Sequence, residues 1–270
     1  MPPTSPPSGL PLSPDRLSSQ PDSQAFQTDS LASLGDIGQV RVNLSGQRQA
    51  LPRAVIFDLD GTLIDTIDDI TAALNATLAS EGLPPVPVHA ARDWIGNGAT
   101  VLIQKALSFH RRKASPQHVQ ELKDRYVDQY LANPVTATTP FPFAVEVLKN
   151  LSDSGVALGV CTNKPLTASE LILEQLGLSH LIAVVIAPES GFGQKPDPKP
   201  LLACAERLGV PPDQTAYVGD HPVDVETARA AGIRVITVTF GYSTDTSHHA
   251  RADGSINSFD ELPSALLAVA

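Results

Sequence analysis

Five short apolar runs punctuate this chain: AVIF (54–57), VALGVC (156–161), LIAVVIA (181–187), AYVG (216–219) and RVITVTF (234–240). Apart from Arg234, Thr237 and Thr239 in the last, they are continuously apolar rather than alternating. Stretches with a helical period, such as Pro200–Leu208 and Asp224–Ala231, lie between them. A strand that is apolar at every position has both faces buried, and strands separated by helices run parallel, because a parallel neighbour needs a crossover. The pattern predicts an α/β fold, a doubly wound parallel sheet with helices on both faces. Ligands of such sheets sit beyond the carboxyl ends of the strands, so the residues after each run are the candidates for chemistry.

Asp58 and Asp60 follow the first run, and Thr162, Asn163 and Lys164 follow the second. Lys195, in QKPDPKP, lies beyond the third, and Asp220 and Asp224, in VGDHPVD, follow the fourth. Helix N-termini at the same edge offer backbone N–H groups to an anion. Carboxylates suit a hard cation such as Mg²⁺, while hydroxyl and ammonium groups suit phosphoryl oxygens. In FDLDGTLID (57–65), Asp58 and Asp60 are two positions apart on an extended strand and point to the same side. Bare carboxylates so placed raise each other's pKa, and a divalent cation relieves this for one of them. Asp58 then stays ionised and attacks phosphorus. Asp60, its side chain kept off the metal, exchanges a proton as general acid and then base. Gly61 permits the turn between them, and Thr62 and Asp65 read as caps for the segment beyond the turn.

Charge and composition narrow the partners. The net charge is −10 with no Lys/Arg cluster, which argues against nucleic acid and anionic membrane. No apolar run approaches the ~18 residues that span a bilayer. Cys161 and Cys204 give neither a disulfide framework nor metal spacing, so a reducing cytoplasm is the default location. The opening MPPTSPPSGLPLSP has no basic or apolar region of a secretory signal, and Asp15, Asp22, Asp29 and Asp36 argue against a transit peptide. Residues 1–50 hold 7 prolines and 9 serines without a period. They read as a mostly disordered extension, roughly the first 35 above all, with VRVNL (40–44) as a short edge strand.

The stretch 67–139 is too long for a simple crossover and reads as helical, in DITAALNATLASEGL, ATVLIQKALSF and HVQELKDRYVDQYLA. It leaves 51–66 and 140–270 as the α/β core. Within the insert, RDWIGNGA (92–99) is the conspicuous loop. Gly96 and Gly98 would let backbone approach a ligand and Asn97 would hydrogen-bond it; alternatively Asn97 caps the next helix. Trp94 reads as packing. Cys161 reads as core, since an Arg-dependent thiol phosphatase would need Arg where Thr167 stands. His248 and His249 read as exposed in a polar loop, and Lys164 more as a solvated lysine than as a contact to a substrate anion.

DLDGTLID resembles the first motif of haloacid-dehalogenase-type phosphatases, DxDGT[LV]xD, and Thr162, Lys195 and GDHPVD match the second, third and fourth in order. The resemblance covers about residues 53–268. It implies the fold of that family, with a small helical cap inserted after the first strand. It implies Asp58 as nucleophile, Asp60 as acid/base, and Thr162 with its neighbour Asn163 and Lys195 as the phosphate site. It further implies Mg²⁺ on the Asp58 side chain, the Asp60 carbonyl and Asp220, with Asp224 in support. The fourth motif usually reads GDSxxD; here His221 stands for Ser, read as a tolerated polar change. WIGNGA, TPFPFAVEVLKNL, CTNKP, QKPDPKPLL and TFGYS are similar to bacterial phosphoglycolate phosphatases. That likeness implies hydrolysis of a small phosphorylated metabolite, 2-phosphoglycolate, through an aspartyl-phosphate. The substrate carboxylate would then meet the cap loop and Arg92. Related enzymes act on amino-sugar 6-phosphates, and a phosphosugar mutase or a non-catalytic binding protein are the remaining alternatives.

Overall fold

A computed structural model describes residues 41–42 and 48–270. The expected disorder of the first 35 residues lies outside them. Strand β1 (Arg41–Val42) pairs antiparallel with β2 (Arg48–Gln49) in a two-stranded sheet of its own, so VRVNL holds a strand but not an edge of the main sheet.

The main sheet begins with β3 (Ala54–Phe57), buried at all four positions. The chain then makes the short β4 (Ile64–Asp65) and enters four helices: α1 (Ile67–Ser80), α2 (Val88–Arg92), α3 (Ala99–Phe109) and α4 (Pro116–Ala132). It returns through β5 (Thr139–Pro140), which pairs antiparallel with β4 and closes the base of the insert. Alternating helices and strands come next: α5 (Ala144–Asp153), β6 (Ala157–Cys161), α6 (Leu166–Gln175), β7 (Val184–Ile186), α7 (Lys199–Arg207), β8 (Thr215–Gly219), α8 (Pro222–Ala231), β9 (Arg234–Val238), β10 (Gly254–Ile256) and α9 (Leu262–Val269).

The six long-range strands lie in the order β10-β9-β8-β3-β6-β7, and every neighbouring pair is parallel. Successive side chains on a strand point to opposite faces, and both faces are covered. Val55, Phe57, Val160 and Val218 join one apolar cluster, while Ile56, Cys161 and Tyr217 join another under α7 and α8. The first cluster continues into the insert through Leu74, Leu102, Ile103 and Leu122. The strands thus read as unbroken apolar runs because there is helix on each side.

Two expectations need correction in extent. The run at 181–187 supplies only three strand residues, since Leu181 to Ala183 precede β7. The sixth strand, GSI, has no apolar run to announce it.

The chain crosses to either side of β3: β6 on one hand, β8 on the other. Phe57 is level with both Val160 and Val218. The residues after β3, β6 and β8 therefore meet at one edge, at the switch point of the sheet, where such folds form a crevice.

Candidate active site

The segment that leaves β3 turns back at once. Ile64 N–H donates to the Leu59 carbonyl at 3.1 Å and Gly61 N–H to the Ile64 carbonyl at 3.0 Å. Gly61 sits at φ +83°, and a Cβ there would lie 2.6 Å from Asp220 Oδ2. Both the left-handed backbone and the missing side chain are needed. Asp58 and Asp60 are buried on this loop.

Asp58, Asp220 and Asp224 converge, each offering a carboxylate oxygen within 4.8 Å of the others. Lys195 Nζ, 2% exposed as a residue, lies 2.8 Å from Asp58 Oδ1, 2.6 Å from Asp224 Oδ1 and 2.9 Å from the Tyr217 hydroxyl. All three donors of its ammonium are spent on protein. Asp224 Oδ2 accepts the N–H groups of Asp220 (3.2 Å) and His221 (3.0 Å), so both Asp224 oxygens are occupied. Asp220 accepts the Thr62 hydroxyl at 3.1 Å and the Tyr242 N–H at 2.7 Å.

On the other side of the turn, Asp60 meets Lys164 Nζ at 3.0 and 3.1 Å and the Thr66 hydroxyl at 2.8 Å. Thr62, expected as a cap, instead holds Asp220. Asp65 Oδ1 does accept the Ile67 N–H, at 3.4 Å, and accepts the Tyr242 hydroxyl at 2.8 Å. Lys164 is buried rather than solvated, because Asp60 neutralises it and the Tyr130 ring lies 4.1 Å beneath its ammonium.

Four buried carboxylates (Asp58, Asp60, Asp220, Asp224) face two ammonium groups (Lys164, Lys195). Two carboxylates are left without an ammonium partner of their own. Burial pushes Asp58 up to about 6 even with Lys195 beside it. Burial, with Asp224 and Asp58 close by, pushes Asp220 up to about 8. Lys195 is driven the other way: burial works against its charge, but Asp224 and Asp58 reverse this and raise its pKa. Carboxylate oxygens in excess of the cations around them fit a hard divalent cation, and Asp58, Asp220 and Asp224 are the carboxylates that converge there.

A cleft of about 540 Å³, counting its open mouth, lies over Asp58 and Asp60. Thr162, Asn163 and Lys164 line it from the sheet edge, and Ile70, Ile95 and Leu102 from the insert. The Asn163 side chain is committed to backbone: its amide donates to the carbonyls of Gly96 (3.0 Å) and Lys195 (3.1 Å) and its oxygen accepts the Lys195 N–H (2.9 Å). It ties insert to core rather than reaching into the cleft. Lys195 lies behind Asp58, outside the lining.

Gly96 and Gly98 line the cleft, but Arg92 and Asn97 do not. The Arg92 guanidinium donates to the Gly241 carbonyl at 2.7 Å and sits 5.6 Å from the centre of the Tyr242 ring, so it braces the loop after β9. Gly98, not Asn97, is the residue that precedes α3, and it has no side chain to cap with. Trp94 packs against Phe109, ring centres 5.7 Å apart. His248, expected to be exposed, is fully buried, while His249 is half-buried. Cys161 is buried, and burial holds its thiol up at about 12.

His221 caps α8 in the way a serine would. Its Nδ1 accepts the Val223 N–H at 3.4 Å, Pro222 opens the helix, and Asp224 reaches back to the His221 N–H. Tyr217, Tyr242 and Thr66 are site residues that sequence reasoning did not identify: the Tyr217 hydroxyl meets Lys195, the Tyr242 backbone N–H donates to Asp220 and its hydroxyl to Asp65, and the Thr66 hydroxyl donates to Asp60.

Fold and charge cluster together describe a hydrolase of the doubly wound α/β type. The family model for haloacid dehalogenase-like hydrolases matches residues 55–238, and the chain belongs to that family. It is 39% identical over 199 residues to the phosphoglycolate phosphatase of Rhodospirillum rubrum, covering 72% of this chain and 83% of that one. It is 35% identical to the N-acetylmuramic acid 6-phosphate phosphatase of Pseudomonas aeruginosa, covering 70% and 83%. Among solved structures, a predicted phosphoglycolate phosphatase from Haemophilus somnus superposes with a TM-score of 0.73 at 28% identity, over 78% of this chain and 96% of that one. No helix among the described residues is long and apolar enough to cross a membrane.

Proposed function

We propose that this chain is a Mg²⁺-dependent phosphomonoesterase that works through an aspartyl-phosphate, with 2-phosphoglycolate as substrate. The observation that carries the reading is the buried meeting of Asp58, Asp220 and Lys195 below a cleft that Asp60 and Thr162 also line. Asp58 is the nucleophile: its carboxylate oxygen bonds to phosphorus as the ester P–O bond breaks, and Asp60 gives its proton to the leaving oxygen. Asp60 then takes a proton from water as that water attacks phosphorus, the bond to Asp58 breaks, and phosphate is released. Lys195 orients Asp58 and offsets its charge from behind. Thr162 receives a phosphoryl oxygen through its hydroxyl.

Asp58, the Asp60 carbonyl and Asp220 are the proposed metal ligands, and Asp224 positions Lys195 and the 220–221 backbone. Bound Mg²⁺ would supply the charge that makes one carboxylate's approach to an anionic phosphoryl group tolerable. Residues 67–139 serve as a cap that excludes water from the cleft, anchored by Asn163 to Gly96. An amino-sugar 6-phosphate is the second reading, supported by the 35% identity to the Pseudomonas enzyme.

A panel of phosphate esters assayed with Mg²⁺, and again after chelation, tests the reading. The expected result is turnover of 2-phosphoglycolate that vanishes with chelator and returns with Mg²⁺. Full turnover in chelator, or none with any ester, overturns it.

A further inference from the structure

One buried charge has no part in the two displacements. Lys164 is 7% exposed, and burying an ammonium is costly unless it is paired. Asp60 pairs it, at 3.0 and 3.1 Å from its two oxygens, and the Tyr130 ring adds a cation–π contact at 4.1 Å. An ammonium has three donors; Asp60 takes two. Among the described residues that line the cleft, Lys164 is the one cation, and the wall from the insert is apolar at Ile70, Ile95 and Leu102. A substrate entering there finds a single positive charge beyond the phosphoryl site.

Its position limits what that charge can read. The Lys164 N–H donates to Thr162 Oγ1 at 3.2 Å, so the residue rises from the loop that faces the phosphoryl group. Its head lies against Asp60, the group assigned to the leaving oxygen. Anything it holds is therefore only a few bonds from that oxygen.

We infer that Lys164 is a substrate-binding residue that sets specificity, receiving a carboxylate on the alcohol half of a compact phosphate monoester. This rests on the phosphatase reading and adds to it a residue and a substrate class. When Asp60 carries the proton it gives to the leaving oxygen, it no longer offsets Lys164, and one positive charge then favours a carboxylate over a second phosphate. A neutral alcohol half gains nothing from Lys164.

The test compares 2-phosphoglycolate with ethyl phosphate, which carries methyl where the other carries carboxylate, on wild type, Lys164→Met and Lys164→Arg. Methionine keeps an unbranched stem over Tyr130 and drops the charge. Both esters lose rate in Lys164→Met through the orphaned Asp60, so the readout is the ratio of their kcat/KM values. Wild type should favour 2-phosphoglycolate by about 10- to 100-fold, chiefly in KM, as expected for a hydrogen bond between charged groups. Lys164→Met should bring the ratio near one, and Lys164→Arg should keep most of it. An unchanged ratio in Lys164→Met, with both activities lowered, would show that Lys164 serves Asp60 alone and overturn the inference. So would a wild type with no preference, an arm that stands even if Lys164→Met does not fold. A wild type that hydrolyses no ester in the wider panel sinks the phosphatase reading itself, a different outcome from loss of the preference alone.

Discussion

The two carboxylates after β3 are equivalent in sequence and unlike in surroundings. Asp58 has Lys195 at 2.8 Å and shares its surroundings with Asp220 and Asp224; Asp60 faces Lys164 and Thr66. Their roles should separate accordingly. Asp58→Asn should abolish turnover and form no phosphoenzyme, because an amide does not attack phosphorus. Asp60→Asn keeps the nucleophile and loses the proton carrier, a loss of roughly 10²–10⁴ in rate. With an activated aryl phosphate, which needs little protonation to leave, the first displacement should survive in part and the adduct should accumulate. Intact-protein mass after acid quench should show added phosphate on Asp60→Asn and none on Asp58→Asn; the reverse pattern would exchange the two assignments. At this scale the acids themselves were legible, since they follow strand ends. Their partners were not. Lys164 reads as solvated from sequence because nothing local reports that Asp60 and the Tyr130 ring, 104 and 34 positions away, will close around it.

The helical insert is held where it leaves and rejoins the core. Asp69, on the first turn of α1, accepts the N–H groups of Thr136 (3.0 Å), Ala137 (3.0 Å) and Thr138 (2.9 Å) and the Thr138 hydroxyl (2.6 Å). Asp69→Ala strips a buried carboxylate from four donors and should lower stability by about 3 kcal/mol, read from denaturant unfolding; a change within error would mean that water replaces it. Farther out, α4 is fastened to the end of α1 by His118, 3.0 Å from Glu81 and 3.4 Å from Glu121. Hydrogen bonds to Glu121 and Glu81 raise the His118 pKa. A raised histidine pKa contributes stability that is fully present below the unfolded value, 6.5, and is lost as pH rises through the higher folded value. The melting temperature of His118→Gln should therefore vary less with pH between about 6 and 8 than that of wild type; parallel curves would show that the pair contributes nothing. α3 matches its predicted span of 99–109, and α1 and α4 each begin two residues earlier than predicted. Helices with a strong apolar period declare themselves, whereas the Asp69 tie joins residues 67 to 69 positions apart and leaves no local pattern.

For the molecule as a whole, burying two more carboxylates than ammonium groups at the sheet edge is a folding cost in the absence of a cation. Mg²⁺ bound by the native state and not by the unfolded chain stabilises by mass action, about 2.7 kcal/mol at a hundred times its Kd. The melting temperature should rise with Mg²⁺ in a saturable way, independent of any substrate. Asp220→Asn removes a carboxylate placed to bind, and its rise in melting temperature with Mg²⁺ should be much smaller than that of wild type. An undiminished rise would place the cation elsewhere. The parallel order of the core was readable because its strands are buried on both faces and alternate with helices. β10 escaped because its three residues, Gly, Ser and Ile, hold one apolar side chain, whereas β7, equally short and also at an edge, is Val-Val-Ile, and the two-stranded pairings escaped because two residues do not make a period.

His221, where the family pattern has serine, does more than cap α8. A Cβ on Gly96 would lie 3.1 Å from its ring, and Gly96 itself adopts φ +99°. The two positions belong to different parts of the chain and now share one volume. The two positions are therefore coupled: with histidine at 221, a side chain at 96 requires the imidazole to shift by a few tenths of an ångström, besides the left-handed backbone it must adopt. Sequences with histidine at this point of the fourth motif should therefore almost never carry a larger residue than glycine at the position equivalent to 96, while those with serine are free of that restriction on space.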